Sequence, residues 1–302
     1  MNLKFLETFV WVARLGSFSA AAERLNTSQA AVSHRIAALE RDLGIRLFER
    51  GTRDVRLTPL GIDAREHAER IVRLAADFRR RMSDPRGLAG TVRIGVIDTV
   101  VYSWLPALID RVRHAYPEVV LELNAAITPE ISDDLMNGRL DLGLMNGPVE
   151  APGLVNRELC TFACRWVASP ALAVPEGTLE IDDIARFPIL SFPTASSRHV
   201  SMVGYFRRSG IENIRLHTAS LATLIRLTTD GVGIAAIPAV TVEREIASGA
   251  LRVLPVRKEF PAIPLYAMYL EMEERPLPAL IAQMAADCAT AFCATRDPGV
   301  AW

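Results

Sequence analysis

The chain has 302 residues, of which 50% are hydrophobic and 23% are charged, a balance typical of globular proteins with two or three packed units. It contains no run of about 18 apolar residues and no signal-peptide pattern, so we expect no membrane span and a cytoplasmic location. Four cysteines are too few for a disulfide framework, and we expect them to be buried free thiols, with metal binding or redox sensing as weaker alternatives.

The net charge of −1 conceals an uneven distribution. Residues 1–90 contain 16 Lys and Arg against 11 Asp and Glu, whereas the remaining 212 residues contain 18 against 24. A basic first part on an acidic body suits a protein whose N-terminal part meets the phosphates of a nucleic acid. Chance variation between domains would also produce this difference, so the indication needs support from motifs.

Three helices are predicted at the start of the chain. The first covers residues 2–15, and two more, joined by a turn at Asn26-Thr27, follow it. The hydroxyl of Ser19 is expected to cap the second helix and that of Ser28 the third, over residues 29–42. Apolar residues recur at spacings of three and four on the third helix and are expected to be buried. They are Val32, Ile36, Leu39 and Leu43.

The opposite face of the third helix carries short or polar side chains near its N-terminus. They are Ser28, Gln29, Ala30, Ser33, His34 and Arg35. In a helix-turn-helix, side chains at this end of the second helix reach the base edges in the major groove. Gln can bond to adenine, Ser to several bases, and Ala can pack on a thymine methyl group. The pattern therefore predicts a DNA-reading helix, and an ordinary two-helix corner is the alternative.

Two short strands are predicted at residues 47–50 and 55–57, around a hairpin turn. They form a wing, on which Arg50, Arg53 and Arg56 are expected to contact phosphates or the minor groove. A solvated surface is the alternative for each of these three arginines.

A long helix is predicted over residues 59–82, because Thr58-Pro59 supplies a capping hydroxyl and a proline at the first helical position. Its apolar side chains form one stripe that includes Ile71, Leu74 and Phe78. No neighbouring segment is available to cover this stripe, so we expect it to form the contact of a dimer. Residues 83–90 then break the helix and serve as a hinge.

From residue 91 strands alternate with helices, which implies parallel sheets with helices on both faces. The predicted strands are residues 91–97, 119–125, 140–145, 162–168, 188–192, 215–218, 232–237 and 264–270. The predicted helices are residues 104–114, one that begins at Thr128-Pro129, 197–209, 220–230, 238–248 and 276–292. In such sheets ligands bind outside the carboxyl ends of the strands.

The run from residue 16 to residue 50 closely resembles the DNA-binding domain of LysR-type transcriptional regulators. The matching residues are Phe9, Gly16-Ser17-Phe18, Ala21-Ala22, Leu25, Ser28-Gln29, Ala31-Val32-Ser33, Ile36, Leu39-Glu40, Leu43-Gly44, Leu47-Phe48-Glu49-Arg50 and Leu57-Thr58-Pro59-Leu60-Gly61. Two positions depart from the family, which often carries Pro in place of Ala30 and Arg in place of His34. A weaker resemblance continues through Arg93-Ile94-Gly95, Leu105-Pro106, Tyr116-Pro117, Gly138-Arg139-Leu140-Asp141-Leu142, Gly231-Val232-Gly233-Ile234 and Pro238.

The resemblance implies an α+β multidomain fold. A winged helix-turn-helix would cover residues 1–58, and a linker helix with its hinge, which dimerises, would cover residues 59–90. Residues 91–302 would form a two-lobed α/β effector domain that resembles type 2 periplasmic binding proteins. Its lobes would be residues 91–165 with 266–302 and residues 166–265, with crossovers near residues 162–168 and 264–268.

The family often binds its effector through residues at the places of Thr99 and Thr128, although Thr128 also suits the cap of a helix. Across the expected cleft, Thr194, Ser196 and Ser197 precede a helix whose N–H groups can hold an anion, and simple capping is the competing interpretation. Asp98 departs from the family, which more often has an uncharged residue there. Its carboxylate would repel an anionic effector unless it points away or is paired.

The expected function is that of a sequence-specific transcriptional regulator of the LysR type, controlled by a small organic acid or amino acid. Its expected partners are double-stranded DNA, the effector and further copies of the chain in a homodimer or homotetramer, with RNA polymerase as a further candidate. No metal, cofactor or catalytic residue is predicted, since the histidines are scattered and no nucleophile signature accompanies them. The alternative is an enzyme or small-molecule binding protein with a vestigial DNA-binding module.

Overall fold

The computed structural model describes residues 2–49, 55–83, 89–212, 214, 216–271 and 275–302. They belong to two units, Met1–Arg86 and Gly87–Trp302. Two arginines of the predicted wing, Arg50 and Arg53, lie outside the described residues, as does the side chain of Phe78.

The first unit begins with the three predicted helices, α1 (Leu3–Leu15), α2 (Phe18–Arg24) and α3 (Gln29–Leu43). Each is capped by a side chain that accepts a hydrogen bond from the first helical turn: Asn2 for α1, Ser17 for α2 and Ser28 for α3. The prediction of Ser19 as the cap of α2 is therefore wrong. The chain leaves α1 directly through Gly16, in the left-handed conformation at φ 58°, and α2 begins two residues earlier than expected.

The apolar faces of these helices form one buried core. Its members include Phe9, Val12, Ala21, Val32, Ile36, Leu39 and Leu47. The predicted stripe of α3 is therefore buried except for its last member, because Leu43 is 40% exposed. Leu43 is the final residue of the helix, and Gly44, at φ 67°, turns the chain away there.

The segment after α3 forms one antiparallel bridge, between Phe48 and Leu57, in place of the two predicted strands over the described residues. Its attachment to α3 is polar. The carboxylate of Glu40 accepts hydrogen bonds from Leu47 N at 2.8 Å and Phe48 N at 3.3 Å. The position of this segment thus depends on α3.

A long helix, α4 (Pro59–Ser83), completes the first unit. It begins as predicted, since Thr58 Oγ1 accepts a hydrogen bond from Gly61 N at 2.9 Å. The expectation that its apolar stripe has no neighbour is wrong for the first half of the helix. There Ala64, Ala68 and Val72 pack against the core of the three helices.

The second unit alternates strands and helices. In chain order they are β1 (Gly90–Val96), α5 (Asp98–Val101), α6 (Leu105–Ala115), β2 (Val119–Ala125), α7 (Thr128–Met136), β3 (Leu142–Asn146), β4 (Leu154–Phe162), β5 (Cys164–Ala168), α8 (Ile181–Ala185), β6 (Ile189–Ser191), α9 (Ser197–Arg207), β7 (Leu216–Thr218), α10 (Leu221–Thr229), β8 (Ile234–Pro238), α11 (Glu243–Ala247), β9 (Arg252–Leu254), β10 (Ile263–Leu270) and α12 (Pro276–Cys293). The sequence patterns missed α5, β4, α8 and β9, and they joined α11 to the short turn before it.

The strands form two five-stranded sheets, with orders β2-β1-β3-β10-β4 and β7-β6-β8-β5-β9. The prediction of parallel sheets is correct for only part of each sheet. In the first sheet β10 is antiparallel to both β3 and β4, and in the second β5 is antiparallel to β8 and β9. Each sheet thus carries a parallel part beside antiparallel strands.

The chain passes between the sheets twice, once at Ala163 and once between β9 and β10. The predicted strand over residues 162–168 is therefore the last residue of β4 followed by β5. Ala163 is bonded on both sides, because its N–H donates to Val300 O at 2.9 Å and its carbonyl accepts from Ala239 N at 3.2 Å. Residues from the end of the sequence also pair with β4, through a bridge between Phe162 and Ala301.

Helix α12 is the most apolar of the long helices and packs within the second unit. Among the described helices it alone is long and apolar enough, by length and composition, to cross a membrane. One side of it is buried in the core of the second unit, through Ile281, Ala282 and Ala285. On another side Asp287 pairs with Arg111 of α6 at 2.7 Å.

We predict that Gly61→Ala destabilises the first unit by about 1–3 kcal/mol, because overpacking of a close contact has costs of this size. A Cβ atom at this position would lie 2.1 Å from the carbonyl oxygen of Leu47, which is backbone and cannot move aside freely. Urea unfolding of the full chain measures the effect. Asp63→Ala, at an exposed position of the same helix, is the matched control. Equal unfolding midpoints for the two variants would contradict the prediction.

Candidate functional site

The exposed end of α3 is the first candidate site. Ser28 fixes its start, since Ser28 Oγ accepts a hydrogen bond from Ala31 N at 3.2 Å. Side chains of the first two turns that were predicted to read bases are exposed: Ser28, Gln29, Ala30, Ser33 and His34. They stand opposite the buried Val32 and Ile36, so the core holds this end of the helix against the unit while leaving its outer face to solvent.

Arg35 differs from the other predicted DNA contacts. It is half-buried, and its Nη1 donates to Thr8 Oγ1 of α1 at 3.4 Å. Part of its side chain therefore serves to join α3 to α1. Arg56 is exposed beside the bridge between Phe48 and Leu57, and its carbonyl accepts from Glu49 N at 2.9 Å.

The far part of the α4 stripe is the second candidate site. Ile71 is 38% exposed and Leu74 is 71% exposed, although Val72 between them still packs on the three-helix core. Closer to that core, Arg14 of α1 pairs with Glu69 of α4 at 3.1 Å. The start of α4 is thus fixed to the first unit, and its apolar stripe continues past that contact into solvent.

The third candidate site is a cavity of about 220 Å³ between the two sheets of the second unit. It lies where β1, β2, β3 and β6 end, at the carboxyl ends of strands as expected for such sheets. Its wall consists of Ile97, Asp98, Thr99, Ala125, Ala126, Ile127, Thr128, Glu130, Asn146, Phe192, Pro193, Ser196, Ser197, Arg198, Ser220 and Leu221.

Four of the five predicted effector residues line this cavity. Thr99 and Thr128 lie on the side of the first sheet, and Ser196 and Ser197 lie on the side of the second sheet. Thr194 is exposed and is not part of the wall. Thr128 does not cap its helix, because α7 already includes it and Ile127 occupies the capping position.

Ser196 is the cap of α9, whose first turn faces the cavity. Its Oγ accepts a hydrogen bond from His199 N at 3.2 Å. The earliest backbone N–H groups of a helix, here those of Ser197 and Arg198, have no partner within the helix. Capping and anion binding are therefore compatible at this position, since they use different groups.

Two polar side chains of the first sheet reach across the cavity. Asp98 Oδ2 accepts a hydrogen bond from Leu221 N, at the start of α10, at 3.3 Å. Asn146 Nδ2 donates to Ser197 Oγ at 3.4 Å. The Asp98 carboxylate is thus paired with the positive end of a helix. This pairing is one of the two conditions under which the carboxylate would not repel an anionic effector. Local sequence gave no sign of this contact, which depends on Ser220 capping α10.

Arg198 is a further residue of the wall that the sequence did not indicate. It is 8% exposed, and its Nη2 donates both to Cys164 Sγ and to Pro261 O at 3.1 Å. Burial raises the pKa of the Cys164 thiol to about 11, an effect that Arg198 and Arg165 reduce. Cys164 is therefore a neutral neighbour at neutral pH, and Arg198 has no carboxylate partner among the described residues.

The cysteines show no sign of a metal site. Cys160, Cys164 and Cys288 are buried and free, and Cys293 is half-buried and free. Burial raises the pKa of the Cys160 thiol, so its reactive thiolate form is scarce at neutral pH. Within the described ranges, no three His, Cys, Asp or Glu side chains come together as a metal ion would require.

Comparison with known proteins identifies both units. Residues 3–62 match a family described as "Bacterial regulatory helix-turn-helix protein, lysR family", and residues 85–289 match "LysR substrate binding domain". The chain is 30% identical over 234 residues to the transcriptional regulator YofA of Bacillus subtilis, covering 77% of this chain and 80% of YofA. It is 29% identical to the regulator GltR of the same organism, covering 83% of this chain and 84% of GltR.

Among solved structures, full-length CbnR complexed with its target DNA shares the fold. The TM-score is 0.72 at 22% identity, covering 95% of this chain and all of the CbnR chain. The second family match alone spans more than half of the chain. This chain therefore belongs to the LysR family of bacterial helix-turn-helix transcriptional regulators.

Proposed function

We propose that the chain binds double-stranded DNA through α3 as a dimer and adjusts this binding to a small effector held between its two sheets. The observation that carries the proposal is the exposed N-terminal end of α3, where short and mostly polar side chains stand opposite the buried Val32 and Ile36. A helix with one polar, exposed face and one apolar, buried face can enter a major groove while its apolar side chains stay in the core of the unit.

In the proposed complex, α3 reads the bases and the arginines after it contact the backbone. The residues that we assign to DNA are Ser28, Gln29, Ala30, Ser33, His34, Arg35, Arg50, Arg53 and Arg56. Gln29 and Ser33 have the hydrogen-bonding groups best suited to base edges, whereas the arginines suit phosphates. The excess of basic residues in the first 90 positions supports the same assignment.

The second part of the proposal is a dimer formed through α4. Ile71 and Leu74 would be covered by the same helix of a second copy, and Phe78 lies on the same stripe of the sequence. A twofold dimer presents two reading helices to two half-sites, which suits a symmetric operator. Pairs of such dimers would give a homotetramer.

The third part is the effector, for which Thr99, Thr128, Ser196 and Ser197 line the cavity. The Thr99 hydroxyl has no hydrogen-bond partner among the described residues, so it is available to a ligand. Thr194 is left out of the assignment because it is exposed outside the wall. We further propose that the protein acts in the cytoplasm as a regulator and not as an enzyme, with RNA polymerase as its partner at promoters.

The reading helix is tested with Gln29→Ala and Ser33→Ala. Each change should relax discrimination at one base position and cost about 1–3 kcal/mol on the specific site, because a base contact is lost. Gel shifts with the DNA upstream of the chain's own gene, against a shuffled sequence, measure it. Non-specific binding should change little, and Gln283→Ala in the second unit serves as a control. Wild-type discrimination in both variants would exclude α3 as the reader.

The dimer contact is tested with Ile71→Glu and Leu74→Glu. A buried carboxylate in an apolar interface is costly, so both variants should be monomers with weaker operator binding. Light scattering at micromolar concentration gives the mass. The same change at an exposed apolar position of the second unit, Val200→Glu, should leave the mass unaltered. A monomeric wild-type protein would end this part of the proposal.

The effector contact is tested with Thr99→Val, which removes the hydroxyl from a residue only 4% exposed and keeps its shape. A ligand group left without its partner costs about 1–3 kcal/mol, so affinity should fall roughly ten- to hundredfold. A thermal-shift screen of small carboxylates, amino acids and aromatic acids supplies the compound, and titration compares the variants. Thr178→Val, at an exposed loop position, is the control. Equal titration curves for Thr99→Val and wild type would place the ligand elsewhere.

A further inference from the structure

The charges of the cavity wall are divided between its two sides. Asp98 and Glu130 belong to the side of the first sheet, and Arg198 belongs to α9 on the side of the second sheet. Among the described residues that line the cavity, these three alone are charged. A ligand that spans the cavity therefore meets negative groups on one side and a positive group on the other.

The positive side lacks an anion. Arg198 is buried, and its Nη2 donates to the neutral thiol of Cys164 and to Pro261 O. Its Cζ lies 4.9 Å from the centre of the Phe260 ring, and its Nε has no hydrogen-bond partner among the described residues. The unbonded N–H groups at the start of α9 lie beside it and add the positive end of a helix dipole. A buried cation without a counter-ion is costly, and a ligand carboxylate would supply the missing charge.

The negative side lacks a cationic donor. Asp98 uses Oδ2 to accept from Leu221 N, while Oδ1 has no partner within the described part of the chain. The side-chain oxygen of Asn146 is buried and likewise has no partner there. Together with Glu130, these oxygens offer acceptors to an ammonium group, whose three N–H bonds need them.

We propose that the cavity recognises a zwitterion of the amino-acid class, with its carboxylate at the start of α9 beside Arg198 and its ammonium group at Asp98. This inference rests on the proposed function of the cavity as the effector site. The rest of the wall includes Ile127, Phe192 and Leu221, so an uncharged, apolar side chain fits the remaining space. A simple carboxylate would satisfy Arg198 but leave the acceptors unpaired, and a simple amine would do the reverse.

The first experiment measures thermal shifts of the full chain with matched sets of probes. Each set contains one amino acid (valine, leucine or phenylalanine), its des-amino acid and its amide, so the two charges are removed one at a time. At least one amino acid should raise Tm, and both of its analogues should lose most of the effect. A des-amino acid that stabilises the protein as strongly as its parent would overturn the zwitterion, as would an absence of any shift with the three amino acids.

The second experiment titrates the best amino acid into Asp98→Asn, which keeps an acceptor for Leu221 N but removes the charge. Loss of a charge-assisted hydrogen bond should weaken binding of the amino acid about ten- to hundredfold, while the des-amino acid should bind no worse. Glu176→Gln, an exposed carboxylate outside the cavity, is the charge-matched control. Equal affinity of Asp98→Asn and wild type for the amino acid would remove Asp98 from the site.

The experiments distinguish failure of the zwitterion proposal from failure of the proposed effector function. If des-amino acids bind as well as amino acids and still alter operator binding, the effector site stands and only the zwitterion is wrong. If amino acids bind but never alter operator binding in gel shifts, the ligand class stands and the regulatory role of the cavity fails.

Discussion

The second unit depends on the pairing of β10, which returns from the second sheet and lies between β3 and β4. Its antiparallel pairing with both neighbours brings strands from distant parts of the sequence into one sheet. Because β1 is parallel to both β2 and β3, these three strands end on the same edge. Residues that follow β6 of the other sheet line the opposite wall of the cavity. The cavity is the space between these ends, and its polar wall consists of residues that follow the strands.

The first unit depends on a different kind of contact, in which a buried stripe and a few polar bonds hold α3, the segment after it and α4 together. Val32 and Leu39 fix the rotation of α3, and Glu40 of the same helix holds the segment at Leu47 and Phe48. The close approach of Gly61 to Leu47 then sets α4 against that segment. The first turn of α4 is therefore linked to α3 through backbone contacts at Leu47 as well as through side chains.

Much of this architecture was predictable because it depends on local patterns. The amphipathic helices of the first unit and the Thr58-Pro59 start of α4 follow from spacing and capping. The pairing partners of β10 do not follow from local patterns. The strand β4 was missed because the polar residues Asn156, Arg157 and Glu158 interrupt its apolar pattern. The family resemblance placed Thr99 and Thr128 on the cavity wall, but the roles of Asp98 and Arg198 depend on Leu221, Cys164 and Pro261, which only the folded chain brings near.

The chain passes between the sheets at Ala163, where hydrogen bonds join it to two other segments of the chain. The amide of Ala163 bonds to Val300, its carbonyl bonds to Ala239, and Thr161 exchanges two backbone hydrogen bonds with Trp302. A rotation of one sheet against the other about Ala163 would act first on the hydrogen bonds that Ala163 makes to Val300 and Ala239. Residues 300–302 are thus bonded to the chain on both sides of this passage, so a reporter domain attached next to them would pull on the backbone hydrogen bonds of the passage itself.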